Sequence, residues 1–245
     1  MTFKTVASSA FGIVLVALLA SCASLPSALQ LGKATRTQHS ERAAWQASYA
    51  ELAKGGGRVY RLDPQRSAVR IYVFRAGAAA KLGHNHVIAA PKFTGLVYLP
   101  PTGAASARFD LEFRLDELEI DNLAFRADLG KAFASKPTPD AVAGTREHML
   151  SDDNMQASRF PFVRIHSLQI TGEVPKLAAE VQVEMHGEKR AMRVPLDVDG
   201  LPDRIEVSGA LVLRQTDFGV RPYSALGGLL AVQDAVVIEF KLVGA

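Results

Sequence analysis

The feature that most restricts the fold of this chain is an alternation of apolar and polar residues with a period of two. It is clearest in "ARFDLEFRLDELEI", residues 107–120, where Phe109, Leu111 and Phe113 alternate with charged residues. Successive side chains of a β-strand point to opposite faces of the sheet, so this pattern predicts strands with one apolar and one polar face. The alternation recurs until the C-terminus and predicts a mainly β domain over residues 58–245.

Further segments with the same alternation bring the predicted number of strands to about eight. They are "SAVRIYVFRA", 87–99, 162–170, "AAEVQVEMHG", "MRVPLDV", "RIEVSGALVLRQ" and "DAVVIEFKLV". Residues 58–245 contain one strong helical pattern, at about 139–157. A single helical region cannot cover both faces of a large sheet. The strands must therefore bury their apolar faces against each other, in an antiparallel β-barrel or a two-sheet sandwich. An eight-stranded barrel has room inside for its own side chains or for one ligand.

The N-terminal segment, "MTFKTVASSAFGIVLVALLASCAS", has the character of an export signal. Its apolar run from Ala10 to Ala20 is shorter than the roughly 20 residues of a membrane-spanning helix and suits a signal peptide. The following Leu-Ala-Ser-Cys resembles a bacterial lipobox, in which the chain is cut before the cysteine and the thiol is acylated. This predicts a signal peptide at 1–21 and a lipid anchor on Cys22, the one cysteine of the chain. An ordinary signal peptide is the alternative.

A lipidated export product would be held at the cell envelope, facing the periplasm. Ala23 follows the cysteine, in place of the Asp that is associated with inner-membrane retention in some bacteria, which favours the outer membrane. Residues 22–57 are predicted to be the lipidated N-terminus and a tether that ends in a short helix. Trp45, Tyr49 and Leu52 would share one face of that helix before Gly55–Gly57 stop it.

Two histidines in "KLGHNHVI" raise the question of a metal site. His84 and His86 are two residues apart and point to the same side if the segment is extended. Together with His148 they could form a metal-binding module, for storage or catalysis, on the barrel. The other interpretation is that these histidines form hydrogen bonds at the rim of the barrel, since the sequence has no His-Glu-x-x-His motif.

Several other functional classes have no support in the sequence. It contains no Gly-x-Ser-x-Gly nucleophile elbow and no phosphate-binding loop. The net charge is only +3, and acidic and basic residues are interspersed, which argues against a nucleic-acid partner. Nothing in these patterns requires catalysis, and the sequence therefore predicts that the protein is not an enzyme and has no cofactor.

Residues 60–243, about three quarters of the chain, resemble the YceI family of exported bacterial proteins. Four segments carry the resemblance, in the family's order and spacing: "YRLDPQRSAVRIYVFRAG", "GTREHMLSDDNMQASRFPFVRIHS", "VEMHGEKRAMRVPLDV" and "LRQTDFGVRPY…VQDAVVIEFKLVGA". The resemblance implies a lipocalin-like barrel that binds a polyisoprenoid or similar long-chain lipid. The chain departs from the family in "AGAAAKLGHNHVIAAPKFTG", where a lone histidine is usual, and in Arg146–Leu150, where Arg-Asp-x-His-Leu is common.

The same resemblance implies where such a lipid would lie. Seven inward-facing apolar residues are the expected lining: Phe109, Leu111, Phe113, Val183, Met185, Leu211 and Ile238. Four polar residues are expected at the mouth of the cavity: His84, His86, Arg146 and His148. Each apolar residue could equally be packed core, because inward side chains often fill small barrels, and a filled barrel with a structural role in the envelope stays open. The sequence also leaves open whether the protein forms a homodimer.

Overall fold

The computed structural model describes residues 42–245, so the predicted signal peptide, Cys22 and most of the tether lie outside the described residues. Residues 42–54 form a helix, α1, which ends before Gly55–Gly57. Gly56 and Gly57 adopt positive φ angles of 84° and 91°, which glycine adopts without steric strain. Among the helices of residues 42–245, none combines the length and the apolar character needed to cross a bilayer.

Within residues 42–245, twelve strands form one antiparallel sheet, and the predicted mainly β, antiparallel fold is confirmed. The strands are β1 (Arg58–Arg61), β2 (Ala68–Ala76), β3 (His86–Ala89), β4 (Thr94–Leu99), β5 (Arg108–Arg114), β6 (Glu119–Ile120), β7 (Phe162–Glu173), β8 (Lys176–Met185), β9 (Glu188–Asp199), β10 (Ile205–Arg214), β11 (Ser224–Ala225) and β12 (Leu230–Gly244). Their order in the sheet is β1-β4-β5-β7-β8-β9-β10-β12-β2-β3-β6, and β11 pairs with β12.

The strand count exceeds the predicted eight because several strands are too short to show an alternating pattern. β1 and β3 have four residues each, and β6 and β11 have two. The segment predicted as one strand, 87–99, is divided into β3 and β4 around Pro91. Proline has no backbone N–H to donate within a sheet, which is a reason for the chain to leave the sheet there.

The sheet curls until the segment that follows its edge strand β1 meets β12. β1 pairs with β4, and the residues that follow it reach β12 through a bridge between Leu62 and Gly244. The Asp63 backbone N–H donates to the carbonyl of Val243 at 2.8 Å. A Cβ atom on Gly244 would lie 3.0 Å from the carbonyl oxygen of Arg61, so this close approach favours glycine. Barrel closure of this kind satisfies strand edges that would otherwise be free.

The strand register defines two ends of the barrel. At the first, Ala76 pairs with Ala231 and His86 pairs with Val73. We call this the histidine end. At the opposite end, the base, Ile205 pairs with Gly244 and Arg58 pairs with Leu99.

The insertion between β5 and β7 carries two α-helices at the histidine end. α2 (Leu123–Asp128) is capped by the Asn122 side chain, and α3 (Pro139–Leu150) by Thr138. α3 is shorter than the predicted 139–157 because the chain turns to an extended conformation at Ser151.

Candidate functional site

The barrel strands enclose a cavity of about 660 Å³. The alternation of β8 illustrates how the wall is formed: Val181 and Val183 face the cavity and are buried, while the residues that follow each of them, Gln182 and Glu184, are more exposed. All seven apolar residues expected to contact a ligand lie on the cavity wall: Phe109, Leu111, Phe113, Val183, Met185, Leu211 and Ile238. Packed protein cores leave few voids larger than a water molecule, whereas ligand sites measure roughly 300–1,000 Å³. The volume falls within the range of ligand sites.

Among the described residues, the polar side chains on the cavity wall are confined to the histidine end. They belong to Arg75, His84, His86, Thr145, His148, Asn154, Gln215 and Tyr223. Gln215 directly follows β10, whose last residue pairs with Ala235 near this end. The Asn154 amide donates to the carbonyl of Arg221 at 2.8 Å, and the His148 ring lies 4.7 Å from the Tyr223 ring. The wall towards the base consists of aliphatic and aromatic residues, so the cavity is polar at one end and apolar along the rest.

The two histidines of the GHNH segment face the cavity because the segment is extended. His84 and His86 lie on the cavity wall, with their ring centroids 4.5 Å apart. Asn85, between them, points the other way: its Oδ1 accepts from the Arg75 backbone N–H, and its Nδ2 donates to the carbonyl of Ala132, each at 3.0 Å. The asparagine thus fixes the segment from behind while both imidazoles face inward.

A buried carboxylate meets the two imidazoles. Asp121, directly after β6, has a side chain with no exposed surface. Its Oδ2 lies 2.7 Å from His86 Nδ1 and 3.7 Å from His84 Nε2, and its Oδ1 accepts from the Val87 backbone N–H at 3.0 Å. Burial by itself would raise the pKa of Asp121, but the contacts with His84, His86 and the Val87 amide outweigh it and hold that pKa well below its ordinary value.

Arg126 supplies the positive charge opposite Asp121. This α2 residue is only 2% exposed, and its Nη1 donates to Asp121 Oδ1 and, at 2.7 Å, to the carbonyl of Asn85. Its Nε and Nη2 donate to the carbonyl and the hydroxyl of Ser135 at 2.9 and 2.6 Å. A buried carboxylate is tolerated when it is paired and hydrogen-bonded in this way.

The remaining polar residues expected at the cavity mouth have different positions. His148 lies on the cavity wall at the histidine end, beside Tyr223. Arg146 is not on that wall: its guanidinium donates to the carbonyls of Asp116 and Leu118 and holds α3 against the segment that leads into β6.

Asp121, not His148, completes the three-ligand group that contains His84 and His86. Within residues 42–245 these three form the one group of potential metal ligands whose donor atoms lie within 4.8 Å of one another. Asp121 was not among the residues predicted from sequence. It lies 35 residues after His86, and its local signal is only that of a polar residue between a strand and the α2 N-cap.

An antiparallel barrel around an apolar cavity defines a class of ligand-binding barrel proteins. The family comparison is more specific: residues 60–244 match the YceI-like domain, and the chain belongs to the YceI-like family. No curated protein matches the chain.

Solved structures resemble the chain at low sequence identity. BcnA from Burkholderia cenocepacia shares 18% identity over 75% of this chain and 99% of its own, with a TM-score of 0.56. At this identity the likeness shows the fold alone. The YceI protein of Campylobacter jejuni shares 11% identity over 63% of this chain and 81% of its own, with a TM-score of 0.45, and supports no argument about the site.

Proposed function

We propose that this protein is an exported, lipid-anchored binding protein that holds the tail of a long-chain isoprenoid or similar amphiphilic lipid in its barrel. The observation that carries the proposal is the distribution of polarity along the 660 Å³ cavity. An apolar tail would lie along the aliphatic wall towards the base, and a polar head would meet the side chains at the histidine end. Membership of the YceI-like family supports a hydrophobic ligand.

The apolar wall provides a large driving force. Removing apolar surface from water contributes about 25 cal/mol per Å², so a tail that buries about 400 Å² gains about 10 kcal/mol before the entropic costs of binding. This energy depends little on the structure of the tail. The polar residues at the histidine end, including His84, His86 and His148, would therefore select among ligands by their head group.

The lipid anchor would hold the barrel beside the membrane that supplies its ligand. The lipobox-like sequence before Cys22 supports acylation there, and Ala23 supports the outer membrane, facing the periplasm. In this proposal the protein binds or carries its lipid without converting it and has no cofactor.

Native mass spectrometry tests both lipid binding in the barrel and the acyl anchor on Cys22. The full chain would be extracted from membranes with mild detergent. We expect a stoichiometric adduct of lipid mass that is removed by organic solvent. A second mass increment, covalent and absent from the Cys22→Ser variant, would report the acyl anchor. If the protein carries no adduct and takes up neither added undecaprenyl phosphate nor palmitic acid, the lipid-binding proposal is wrong.

A matched pair of variants tests whether the cavity is the binding site. Leu211 lies on the cavity wall, whereas the next residue, Val212, is 62% exposed on the outer face. Leu211→Glu puts a carboxylate into the apolar cavity and is expected to weaken undecaprenyl phosphate binding at least about tenfold, because an unpaired buried charge is costly. Val212→Glu places the same charge in solvent and should bind like the parent. Equal affinities in two folded variants, as judged by circular dichroism, would place the ligand elsewhere.

A further inference from the structure

Three potential ligand atoms converge at the histidine end: His84 Nε2 and His86 Nδ1, whose residues line the cavity, and Oδ2 of the buried Asp121. All lie within 4.8 Å of one another. Ligand atoms around a tetrahedral zinc ion, at bond lengths of 2.0–2.2 Å, are about 3.4 Å apart. The carboxylate oxygen lies 2.7 Å from His86 Nδ1 and 3.7 Å from His84 Nε2, so these two distances bracket the required value. Side-chain shifts of less than about an ångström would bring the three atoms into zinc coordination.

One of these atoms has no hydrogen bond. His84 Nε2 is shielded from solvent and has no hydrogen-bond partner among the described residues. Buried polar atoms are normally satisfied, and an unsatisfied one in a native structure calls for a partner such as a water molecule or an ion. His84 Nε2 is oriented towards the carboxylate oxygen that already contacts His86.

The groups behind the three ligands hold them in place. Asp121 Oδ1 is occupied by the Val87 N–H and by Arg126, which leaves Oδ2 directed towards the imidazoles. The Asn85 side chain and carbonyl hold the extended segment that carries both histidines. Hydrogen bonds of this kind orient the ligands of metal sites and contribute to metal affinity.

From this convergence we propose that His84, His86 and Asp121 bind a divalent transition-metal ion, with Zn²⁺ as the reference case. Two imidazoles and one carboxylate are a donor set that such ions accept in proteins. Three protein ligands leave a fourth coordination position, and since both histidines lie on the cavity wall, that position faces the cavity.

The charges at the site indicate what would fill the fourth position. Arg126 already neutralises Asp121, so the protein ligands leave the charge of a divalent ion uncompensated. A buried excess of positive charge favours an anionic fourth ligand. The phosphate or carboxylate head of an amphiphile in the cavity fits this requirement, and this second step rests on the proposed lipid-binding function.

Metal retention by the full chain tests the first step. The protein is treated with EDTA, loaded with one equivalent of ZnSO₄ and desalted, and the metal is measured by plasma mass spectrometry and by calorimetric titration. We expect one zinc ion per chain, and at least about 100-fold weaker binding in His84→Gln and in His86→Gln. His166→Gln is the matched control, because His166 contacts Asp110 on the outer face of the barrel.

His148→Gln distinguishes the two possible ligand sets. His148 lies outside the group formed with Asp121, so this variant should retain zinc. Loss of zinc in His148→Gln, or failure of the parent protein to retain zinc, would overturn the proposal. In the latter case His86 and Asp121 would be only a hydrogen-bonded pair. The histidine variants carry this test because Asp121→Asn would also remove the partner of the buried Arg126.

Spectroscopy of the Co²⁺-loaded protein tests separately whether the three residues bind a metal ion and whether a lipid head group coordinates that ion. Co²⁺ bound by these ligands should show visible d–d bands, and undecaprenyl phosphate should shift them. Solanesol, a polyprenol without phosphate, should leave the bands unchanged. If undecaprenyl phosphate binds, by native mass spectrometry, and the bands do not move, head-group coordination is wrong while the metal site stands. If no lipid binds but zinc is retained, it is the lipid-binding function that fails.

Discussion

Asp110 and Asp121 each contact a histidine, but they do so on opposite sides of the barrel wall. The Asp121 side chain is completely buried, contacts His86 beside the cavity and has Arg126 as its counter-charge. Asp110 lies on the outer face of β5, is 17% exposed, and contacts His166 across the neighbouring strand β7. It also accepts a hydrogen bond of 2.5 Å from the Tyr49 hydroxyl of α1.

The role of an aspartate–histidine pair therefore depends on the side of the wall on which it lies. The outer pair, Asp110 and His166, is partly exposed to solvent and also contacts Tyr49 of α1. Because water screens its charges, each contact contributes modestly to stability. The inner pair, Asp121 and His86, is not screened by water in this way and depends on the positive charge of Arg126 for its stability. It also directs imidazoles into the cavity, where they can meet a ligand.

The largest loss of stability is expected when the inner pair loses its counter-charge, Arg126. Arg126→Met removes the arginine that pairs with Asp121 and leaves the carboxylate buried beside the two histidines, so we expect a loss of about 3–5 kcal/mol in the free energy of unfolding. Urea denaturation of the full chain measures it. Lys176→Met, which breaks an exposed pair with Asp197, is the control and should cost less than about 1 kcal/mol. Similar losses in both variants would show that the inner pair gains nothing from burial.

A smaller loss is expected from Tyr49→Phe at the outer pair. The substitution keeps the buried ring and removes the hydroxyl that donates to Asp110, and a hydrogen bond to a charged group contributes about 1.5 kcal/mol. Urea denaturation at neutral pH again gives the free energy. A loss as large as that of Arg126→Met would mean that α1 docking, and not the cavity wall, dominates stability.

The contribution of Tyr49 should also depend on pH. Burial, and next the hydrogen bond to Asp110, raise the pKa of Tyr49 above its ordinary value of 10.0. The stability that results is fully present below pH 10.0 and is lost as the pH rises towards the folded-state pKa, because the unfolded tyrosine ionises first. The slope is up to about 1.4 kcal/mol per pH unit. Burial also raises the pKa of Tyr60 and Tyr72, but both remain in Tyr49→Phe and cancel in the comparison with the parent. A parallel pH dependence of the two proteins would contradict the prediction.

The smallest effect is expected for His166→Ala. The His166 side chain is 39% exposed, and solvent screens its contact with Asp110, so the loss should be under about 1 kcal/mol. Thermal denaturation, compared with that of Tyr49→Phe, measures it. A larger loss than in Tyr49→Phe would contradict the prediction, because it would mean that His166 contributes more to stability through Asp110 than the Tyr49 hydroxyl does.

Much of the barrel could be predicted from sequence because alternation is a local property. A strand with apolar residues at every second position has one face to bury, whatever its partners are, and this assigned Leu111, Val183 and Leu211 to the inner face. The same rule placed His84 and His86 on one side of an extended segment. The signals for the short strands β6 and β11 were too brief to detect.

The tertiary structure decided which of these residues form a site. Asp121 meets His86 through the pairing of β6 with β3, and nothing near Asp121 in the sequence encodes that pairing. Arg146, expected at the cavity mouth, is directed to backbone carbonyls by the packing of α3. Whether the inward side chains fill the barrel or leave a cavity of about 660 Å³ depends on its diameter and on the summed volume of the lining. The sequence by itself determined the long strands and their inward faces, because both follow from local backbone geometry. Only the assembled barrel determined the cavity and the Asp121 cluster, because both require residues from distant strands to meet.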